Sequence, residues 1–179
     1  MEFLFVYGTL RDPQNKVAQF LKSNAEFYGD GYFHGKLFDL GDYPGAIESI
    51  MEFLFVYGTL RDPQNQVAQF LKSNADFYAD GYFHGKLYDL GDYPGALESN
   101  APEDKVFGSI FQVRNPDAVF VALDEYEETG DKFPSPNEFI RKKIYVFDSN
   151  GKMIPSFVYL YNWPLEQFKR IVSGKYIRK

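Results

Sequence analysis

The stretch Phe53-Leu54-Phe55-Val56-Tyr57-Gly58-Thr59-Leu60-Arg61 decides how this chain is read. Phe53 to Tyr57 is an apolar run that does not alternate with polar residues, which suits a strand covered on both faces. The run stops at Gly58-Thr59-Leu60. A short helix is predicted beyond it, because Asn65 can cap it and Val67, Phe70 and Leu71 fall at i, i+3 and i+4. A second strand is expected near Gly81–Leu90, followed by a turn at Gly91-Asp92-Tyr93-Pro94-Gly95.

The same stretch also occurs fifty residues earlier. Met1–Ser49 aligns with Met51–Ser99 without a gap, and the two differ only at Lys16/Gln66, Glu26/Asp76, Gly29/Ala79, Phe38/Tyr88 and Ile47/Leu97. The second copy begins at its own Met51, with Ile50 between the copies. Two uncapped repeats fall short of a solenoid array. A tandem duplication of the 5′ part of a coding region is the simplest account, and an error in gene assembly is its rival.

Past Asn100 nothing repeats. Ala101-Pro102-Glu103-Asp104 reads as a loop and Val106–Val113 as a strand. Asn115-Pro116 is a helix start, with Asn as the cap and Pro in the first turn, and the helix is expected to run to about Glu127. Gly130–Asn137 is a polar loop, and Phe139–Phe147 and Ile154–Tyr161 are strands joined by a turn at Ser149-Asn150-Gly151. Pro164 is expected to open a last helix, Leu165–Val172, with Trp163 closing the core beneath it. Residues 51–179 therefore hold one complete set of about six strands and three helices. Residues 1–50 hold a partial duplicate of its N-terminal half. The order fits an α+β fold, a small mixed β-barrel flanked by helices.

Composition narrows the chemistry. The chain is 45% hydrophobic, with 19 Phe and 14 Tyr among 179 residues, enough for a sizeable core. Its net charge of −6, without a basic run, argues against nucleic acid or an anionic membrane as the main partner. No apolar stretch approaches the roughly 20 residues of a membrane helix, and the N-terminus lacks the basic region of a secretory signal. A soluble, cytoplasmic protein is expected. The absence of cysteine removes a thiol nucleophile and thiolate metal sites. The two histidines, His34 and His84, are one position in two copies and are expected to pack at a strand edge, so a His-based triad or metal site is not expected.

Two segments could carry chemistry. On the helix after Pro116, Val119, Ala122, Leu123 and Tyr126 make one apolar stripe. Glu127 lies four residues after Leu123 and shares its side, whereas Glu125 and Glu128 point away. An inward carboxyl at a helix C-terminus is disfavoured as an anion by desolvation and by the helix dipole. The raised pKa that results suits a group that takes and returns a proton near neutral pH. The alternative is that Glu127 curls out to solvent, or pairs with Arg141 or Lys142. The second segment is Tyr57-Gly58-Thr59-Leu60, where a glycine after a buried strand lets backbone amides face a cavity and hold a carboxylate or oxyanion. Alternatively it is only a turn.

Phe-Val-Tyr-Gly-Thr-Leu-Arg near the start, Tyr-Pro-Gly about 36 residues on, Gly-Ser-Ile-Phe-Gln-Val, then Leu-Asp-Glu-Tyr-Glu and Phe139-Ile140-Arg141 together resemble the gamma-glutamylcyclotransferase-like family. The resemblance is to its gamma-glutamylamine cyclotransferase and avirulence-induced-gene-like branches, and it covers 51–179, with 1–49 matching the front part again. It implies a small barrel with a pocket between the loop Tyr57, Gly58, Thr59, Leu60 and the acid Glu127, with Arg141 as a further candidate to line it. It implies an enzyme that needs no metal or organic cofactor and releases 5-oxoproline from a small γ-glutamyl amine or peptide. The other reading on the same fold is a non-catalytic binding or regulatory module. The chain departs from the family where Glu128 replaces a frequent Gly, where Phe139 replaces a Tyr, and where Thr129–Glu138 is long.

Both copies carry the Tyr-Gly-Thr-Leu loop, but only one Glu127 exists, so at most one complete site forms per chain. Copy two is contiguous with the back half. Copy one would loop out about fifty residues, at an entropic cost of roughly 2–3 kcal/mol. The domain is therefore placed in 51–179. Residues 1–50 are expected to dock on it, or to swap into a neighbouring chain as a homodimer.

Overall fold

The computed structural model describes residues 4–30, 35–40, 44–48 and 51–177. The chain divides into two compact units, Met1–Ile50 and Met51–Lys179.

In the first unit, Leu4–Tyr7 is extended and forms no strand, and a 3₁₀ turn follows at Gly8–Arg11. Helix α1, Lys16–Asn24, is capped by Asn15, whose Oδ1 accepts from the amides of Val17 (2.8 Å) and Ala18 (3.2 Å). Strands β1 (Gly35–Asp39) and β2 (Pro44–Glu48) form an antiparallel hairpin. His34 and Phe3 lie outside the described residues.

The second unit contains seven strands: β3 (Glu52–Val56), β4 (Ala75–Asp89), β5 (Pro94–Glu98), β6 (Lys105–Val113), β7 (Phe139–Asp148), β8 (Met153–Tyr161) and β9 (Lys169–Arg170). It also has a 3₁₀ turn (Thr59–Arg61) and helices α2 (Gln66–Asn74) and α3 (Pro116–Tyr126). The strand path runs β4-β6-β3-β8-β7 and closes through β7 back to β4, giving a five-stranded barrel. β5 and β9 extend β4 beyond the barrel. The β3–β8 pair is parallel, in register at Leu54↔Phe157, while β3–β6, β4–β6, β4–β7 and β7–β8 are antiparallel. This is the expected mixed barrel.

β3 is covered on both sides. Phe55 and Tyr57 join Phe83, Ile110, Val146 and Val158 inside the barrel. Leu54 and Val56 face outward, onto Leu71 of α2 and Val119 and Leu123 of α3. Each large apolar side chain buried this way contributes about 1.5–3 kcal/mol. The identical sequence in the first unit is far more open to solvent: Leu4 is 71% exposed where Leu54 is 0%, and Phe5 is 48% exposed where Phe55 is 1%. The strand expected at the start of both copies therefore forms in one. β6 and β8, which make β3 a strand, occur once in the chain.

Three other expectations change. β4 begins at Ala75 rather than near Gly81, because β6 pairs along its whole length with an irregularity between Phe77 and Ala79. Pro94-Gly95, read as the end of a turn, opens an edge strand, Pro94–Glu98, whose proline stands at its first position, where no ladder donor is needed. The helix over Leu165–Val172 does not form. Residues 166–168 turn, Lys169 and Arg170 pair with Asp89 and Tyr88, and the Ile171 amide donates to the Leu87 carbonyl (2.8 Å). An eight-residue helix is marginal on its own, and the free edge of β4 offers backbone partners at once. Trp163 accordingly closes no core: it is 42% exposed and its Nε1 donates to the Pro136 carbonyl (2.9 Å).

Because both faces of β3 and both of its neighbours belong to Met51–Lys179, a chain lacking residues 1–50 should fold. It should stay monodisperse in size-exclusion chromatography and unfold in one cooperative transition. Insolubility of that truncation would show that residues 1–50 are needed by the barrel.

Candidate active site

A pocket of roughly 450 Å³ opens where β3 ends, walled by the Tyr57–Leu60 turn, Tyr93-Pro94, the end of α3, Glu138-Phe139 and Tyr159. Tyr57 points into the barrel, and its hydroxyl donates to the Tyr159 carbonyl (2.7 Å). Burial pushes that hydroxyl's pKa well above its ordinary value, and the nearby Glu127 charge acts the same way, so the phenol remains a proton donor. Gly58 is required by a close approach. A Cβ there would sit 2.8 Å from Cγ of Pro94, so the turn and the Tyr93-Pro94-Gly95 segment fit only without a side chain.

Asn65 ties this turn to α3. Its Oδ1 caps α2 through the amides of Val67 (2.8 Å) and Ala68 (3.1 Å), and its Nδ2 donates to the Tyr126 hydroxyl (2.9 Å). Thr59 Oγ1 lies 3.4 Å from the same hydroxyl. Tyr126 is the last residue of α3, so the loop and the helix end are held together one residue before Glu127.

Val119 and Leu123 are fully buried, which fixes the face of α3 that turns inward, and Glu127 follows as the C-cap. The helix closes with a Schellman pattern: Thr129 N–H donates to the Asp124 carbonyl (2.9 Å) and Glu128 N–H lies 3.4 Å from the Glu125 carbonyl. Glu128 occupies the left-handed position of that motif, with φ at 49°, where glycine is ordinarily found. The frequent Gly that Glu128 replaces thus has a conformational reason.

The carboxyl of Glu127 is raised from 4.5 to about 7, first by burial and then by the charge of Glu138. Among the described residues no cation pairs with it. Lys142 pairs with Glu98, and Arg141 pairs with Asp124 (3.4 Å). Arg141 does not line the pocket. Its guanidinium lies over the rings of Phe120 (4.4 Å) and Phe157 (5.2 Å), behind Asp124, which accepts from the Tyr159 hydroxyl (2.7 Å). The expectation that Arg141 reaches the pocket is therefore corrected: along β7, Phe139 faces the site and Arg141 faces the aromatic layer under α3.

The structure adds residues that the sequence did not single out. Tyr93 donates to Oε1 of Glu138 (2.9 Å), and burial together with that carboxylate pushes its own pKa up to about 12. Glu138 ends the long loop after α3, which is pinned by Thr129 Oγ1 to the Phe139 carbonyl (2.8 Å), by Asn137 Oδ1 from the Gly130 amide (2.9 Å), and by Asn162 Nδ2 to the Asn137 carbonyl (3.0 Å). A signal for Tyr93 existed in the Tyr-Pro-Gly segment, but none for Glu138 without the loop's path. His84 packs edge-on against Tyr82 and Phe147, away from the pocket. Among the described residues no group of three or more His, Cys, Asp or Glu could hold a metal ion. No described helix is long and apolar enough to cross a membrane.

A closed five-stranded barrel with helices packed on β3, and a carboxyl at its mouth that meets no cation among the described residues, defines an α+β protein with a pocket at one end of its barrel. Residues 54–178 match the family described as gamma-glutamyl cyclotransferase, AIG2-like, and the chain belongs to that family. The match leaves residues 1–50 outside it and lends no support to a second, partial copy of the domain there; the repeat rests on the sequence alone. The solution structure of ytfP from Escherichia coli is 29% identical, with a TM-score of 0.50, over 70% of this chain and 96% of that one. Two crystal structures share the fold. One is c4763, a uropathogenic E. coli-specific protein (22% identity, TM-score 0.51, 71% of this chain and 93% of that one). The other is YkqA from Bacillus subtilis (19%, 0.52, 71% and 40%), so the matched part spans less than half of the YkqA chain. Comparison with curated proteins finds no match.

Two stability measurements test this geometry. Glu128→Gly should stabilise the protein by about 1 kcal/mol in urea denaturation, since a non-glycine residue in the left-handed region costs about that much. The second concerns Glu127. A carboxyl held at about 7 in the folded protein favours folding in its protonated form, a contribution complete below about 4.5 and lost as pH rises through about 7. Glu127→Gln removes that loss, so its stability relative to the parent should be higher at pH 8 than at pH 4 by on the order of 1–3 kcal/mol. An equal difference at both pH values would place the carboxyl in solvent.

Proposed function

We propose that this protein is a cyclotransferase that releases 5-oxoproline from a small γ-glutamyl amine or peptide, with Glu127 as its general base and acid. The observation that carries the reading is an unpaired carboxyl, raised to about 7, facing the Tyr57–Leu60 turn across one pocket. A group with that pKa is part ionised at neutral pH and can both take and return a proton.

The reaction is intramolecular. Glu127 takes a proton from the substrate's α-ammonium, and the free amine attacks the γ-carbonyl carbon of the same molecule. A C–N bond forms and the carbonyl electrons move to oxygen, giving a tetrahedral oxyanion. The ring nitrogen gives its second proton to solvent, the oxyanion collapses, the bond to the original nitrogen breaks, and Glu127 returns its proton to that nitrogen as it leaves. No water is consumed, and the nucleophile is already tethered, so much of the rate comes from proximity. The amides of Gly58, Thr59 and Leu60, at the start of a 3₁₀ turn where amides have no partner within the turn, hold the substrate carboxylate or the oxyanion. The Tyr57 phenol keeps its proton and anchors the turn to β8. Arg141 acts at one remove, by holding Asp124 against Tyr159.

The test is an assay of 5-oxoproline release from a panel of γ-glutamyl compounds. The parent should be active with kcat/KM rising through about pH 7, and Glu127→Gln should lose about 10²-fold or more in kcat. Glu138→Gln, which leaves the burial of Glu127 in place but removes the charge that adds to it, should move the rising limb to lower pH. Full activity of Glu127→Gln would remove Glu127 from the role. No product across the panel would favour a binding module on the same fold.

A further inference from the structure

Asn65, Tyr126 and Thr59 share hydrogen bonds whose protons can be followed one by one. Asn65 Oδ1 accepts from the amides of Val67 (2.8 Å) and Ala68 (3.1 Å). The reverse orientation would set the NH2 of Asn65 against two N–H donors, so Nδ2 has to face Tyr126, whose hydroxyl oxygen accepts from it (2.9 Å). The proton of that hydroxyl therefore points elsewhere. Thr59 Oγ1, at 3.4 Å, is the other hydroxyl in contact. The two hydroxyls carry two protons and share one contact, so whichever donates across it, one O–H proton finds no acceptor among the described residues. Both side chains line the pocket, and Tyr126 is 39% exposed, so the spare proton is offered to a ligand.

We propose that Tyr126, oriented by Asn65, donates its hydroxyl proton to the α-carboxylate of the bound substrate and so adds a side-chain donor to the amides of the Gly58–Leu60 turn. The proposal rests on the cyclotransferase reading and assigns it a further residue. No lysine, arginine or histidine lines the pocket, so an entering carboxylate is held by neutral donors alone. At 3.4 Å the contact with Thr59 is too long to compete for the proton with a charged acceptor. Sequence order fits as well. Glu127 follows Tyr126 directly, and in the substrate the α-ammonium that Glu127 deprotonates sits on the same carbon as the α-carboxylate. Two groups on one carbon thus meet two consecutive residues at the end of α3. The carboxylate keeps its charge from the bound substrate through to 5-oxoproline, so a donor to it binds ground state and transition state alike and is felt in KM rather than kcat. Asn65 acts through Tyr126 and is a positioning residue.

The experiment compares kcat/KM of the full chain for the most active γ-glutamyl amide of the panel and for its 4-aminobutanoyl counterpart, which closes the same ring, to 2-pyrrolidinone, without a carboxylate. Tyr126→Phe should lower the preference for the γ-glutamyl amide by about tenfold or more, through KM, as expected for a hydrogen bond to a charged group. Asn65→Ser keeps a side-chain oxygen for the cap of α2 but cannot reach Tyr126, so it should move the ratio in the same direction, and the double variant should lose no more than Tyr126→Phe alone. A loss of helix stability would lower turnover of both amides and cancel in the ratio. Calorimetry with 5-oxoproline and 2-pyrrolidinone makes the same comparison without turnover: 5-oxoproline should bind more tightly, and Tyr126→Phe should weaken it by about tenfold or more. A preference unmoved by Tyr126→Phe, or a loss that falls on kcat with KM unchanged, would overturn the inference and leave the cyclotransferase reading in place. Absence of 5-oxoproline across the panel would overturn that reading instead, and the calorimetric pair would still decide the donor: binding of 5-oxoproline that is unchanged in Tyr126→Phe, or absent from the parent, overturns it.

Discussion

Everything in the barrel depends on a strand of five residues that must be covered from two sides. β3 supplies Phe55 and Tyr57 to the interior and Leu54 and Val56 to the helix layer. It also bridges an antiparallel neighbour, β6, and a parallel one, β8. A strand with no solvated face has no polar positions to give away, so from Phe53 on its sequence is apolar, and its register is set by what lies on either side. The pocket inherits that order. Tyr57, at the end of the strand, reaches across 102 positions of sequence to the Tyr159 carbonyl, and the Gly58 turn follows directly.

The repeat makes the chain its own control on what sequence encodes. The helix after Asn15 and the helix after Asn65 form alike, each with the same pair of capped amides. The hairpin Gly35–Glu48 has the same register as Gly85–Glu98. These elements are local: a cap, an apolar spacing and a turn suffice. The strand is not local, and its two copies differ although Leu4–Tyr7 and Leu54–Tyr57 are the same residues. The expected last helix failed for the same reason in reverse. Pro164 offered a start, but the edge of β4 at Tyr88 and Asp89 was a better partner for Arg170 and Lys169 than a helical turn of their own.

The site divides along similar lines. Glu127 was legible because helix periodicity places it on the side of Val119 and Leu123, and the Tyr57–Leu60 turn because a glycine ends a buried strand. Glu138 was not, and Tyr93 was marked only by its Tyr-Pro-Gly segment, since the two meet through a loop whose path depends on Thr129, Asn137 and Asn162 finding backbone partners. Arg141 was placed at the pocket by resemblance alone; its guanidinium instead lies over the Phe120 and Phe157 rings and pairs with Asp124. The charge on Glu138 is what couples these parts. It raises Glu127 across the pocket while being held from behind by Tyr93.

The parallel pairing of β3 with β8 also sets a clock. On the ribosome, Val56 is complete about a hundred residues before Tyr161, an interval of roughly 5–20 s at ordinary rates of synthesis. Throughout it, two apolar segments of one sequence wait for strands that will arrive only once. Whichever is seated when β6 emerges sets the course of the barrel, and the segment nearer in the chain closes the shorter loop. A nascent chain of this design exposes two hydrophobic front segments before it can cover one, and unpaired apolar strands in that interval are open to pairing with the wrong partner.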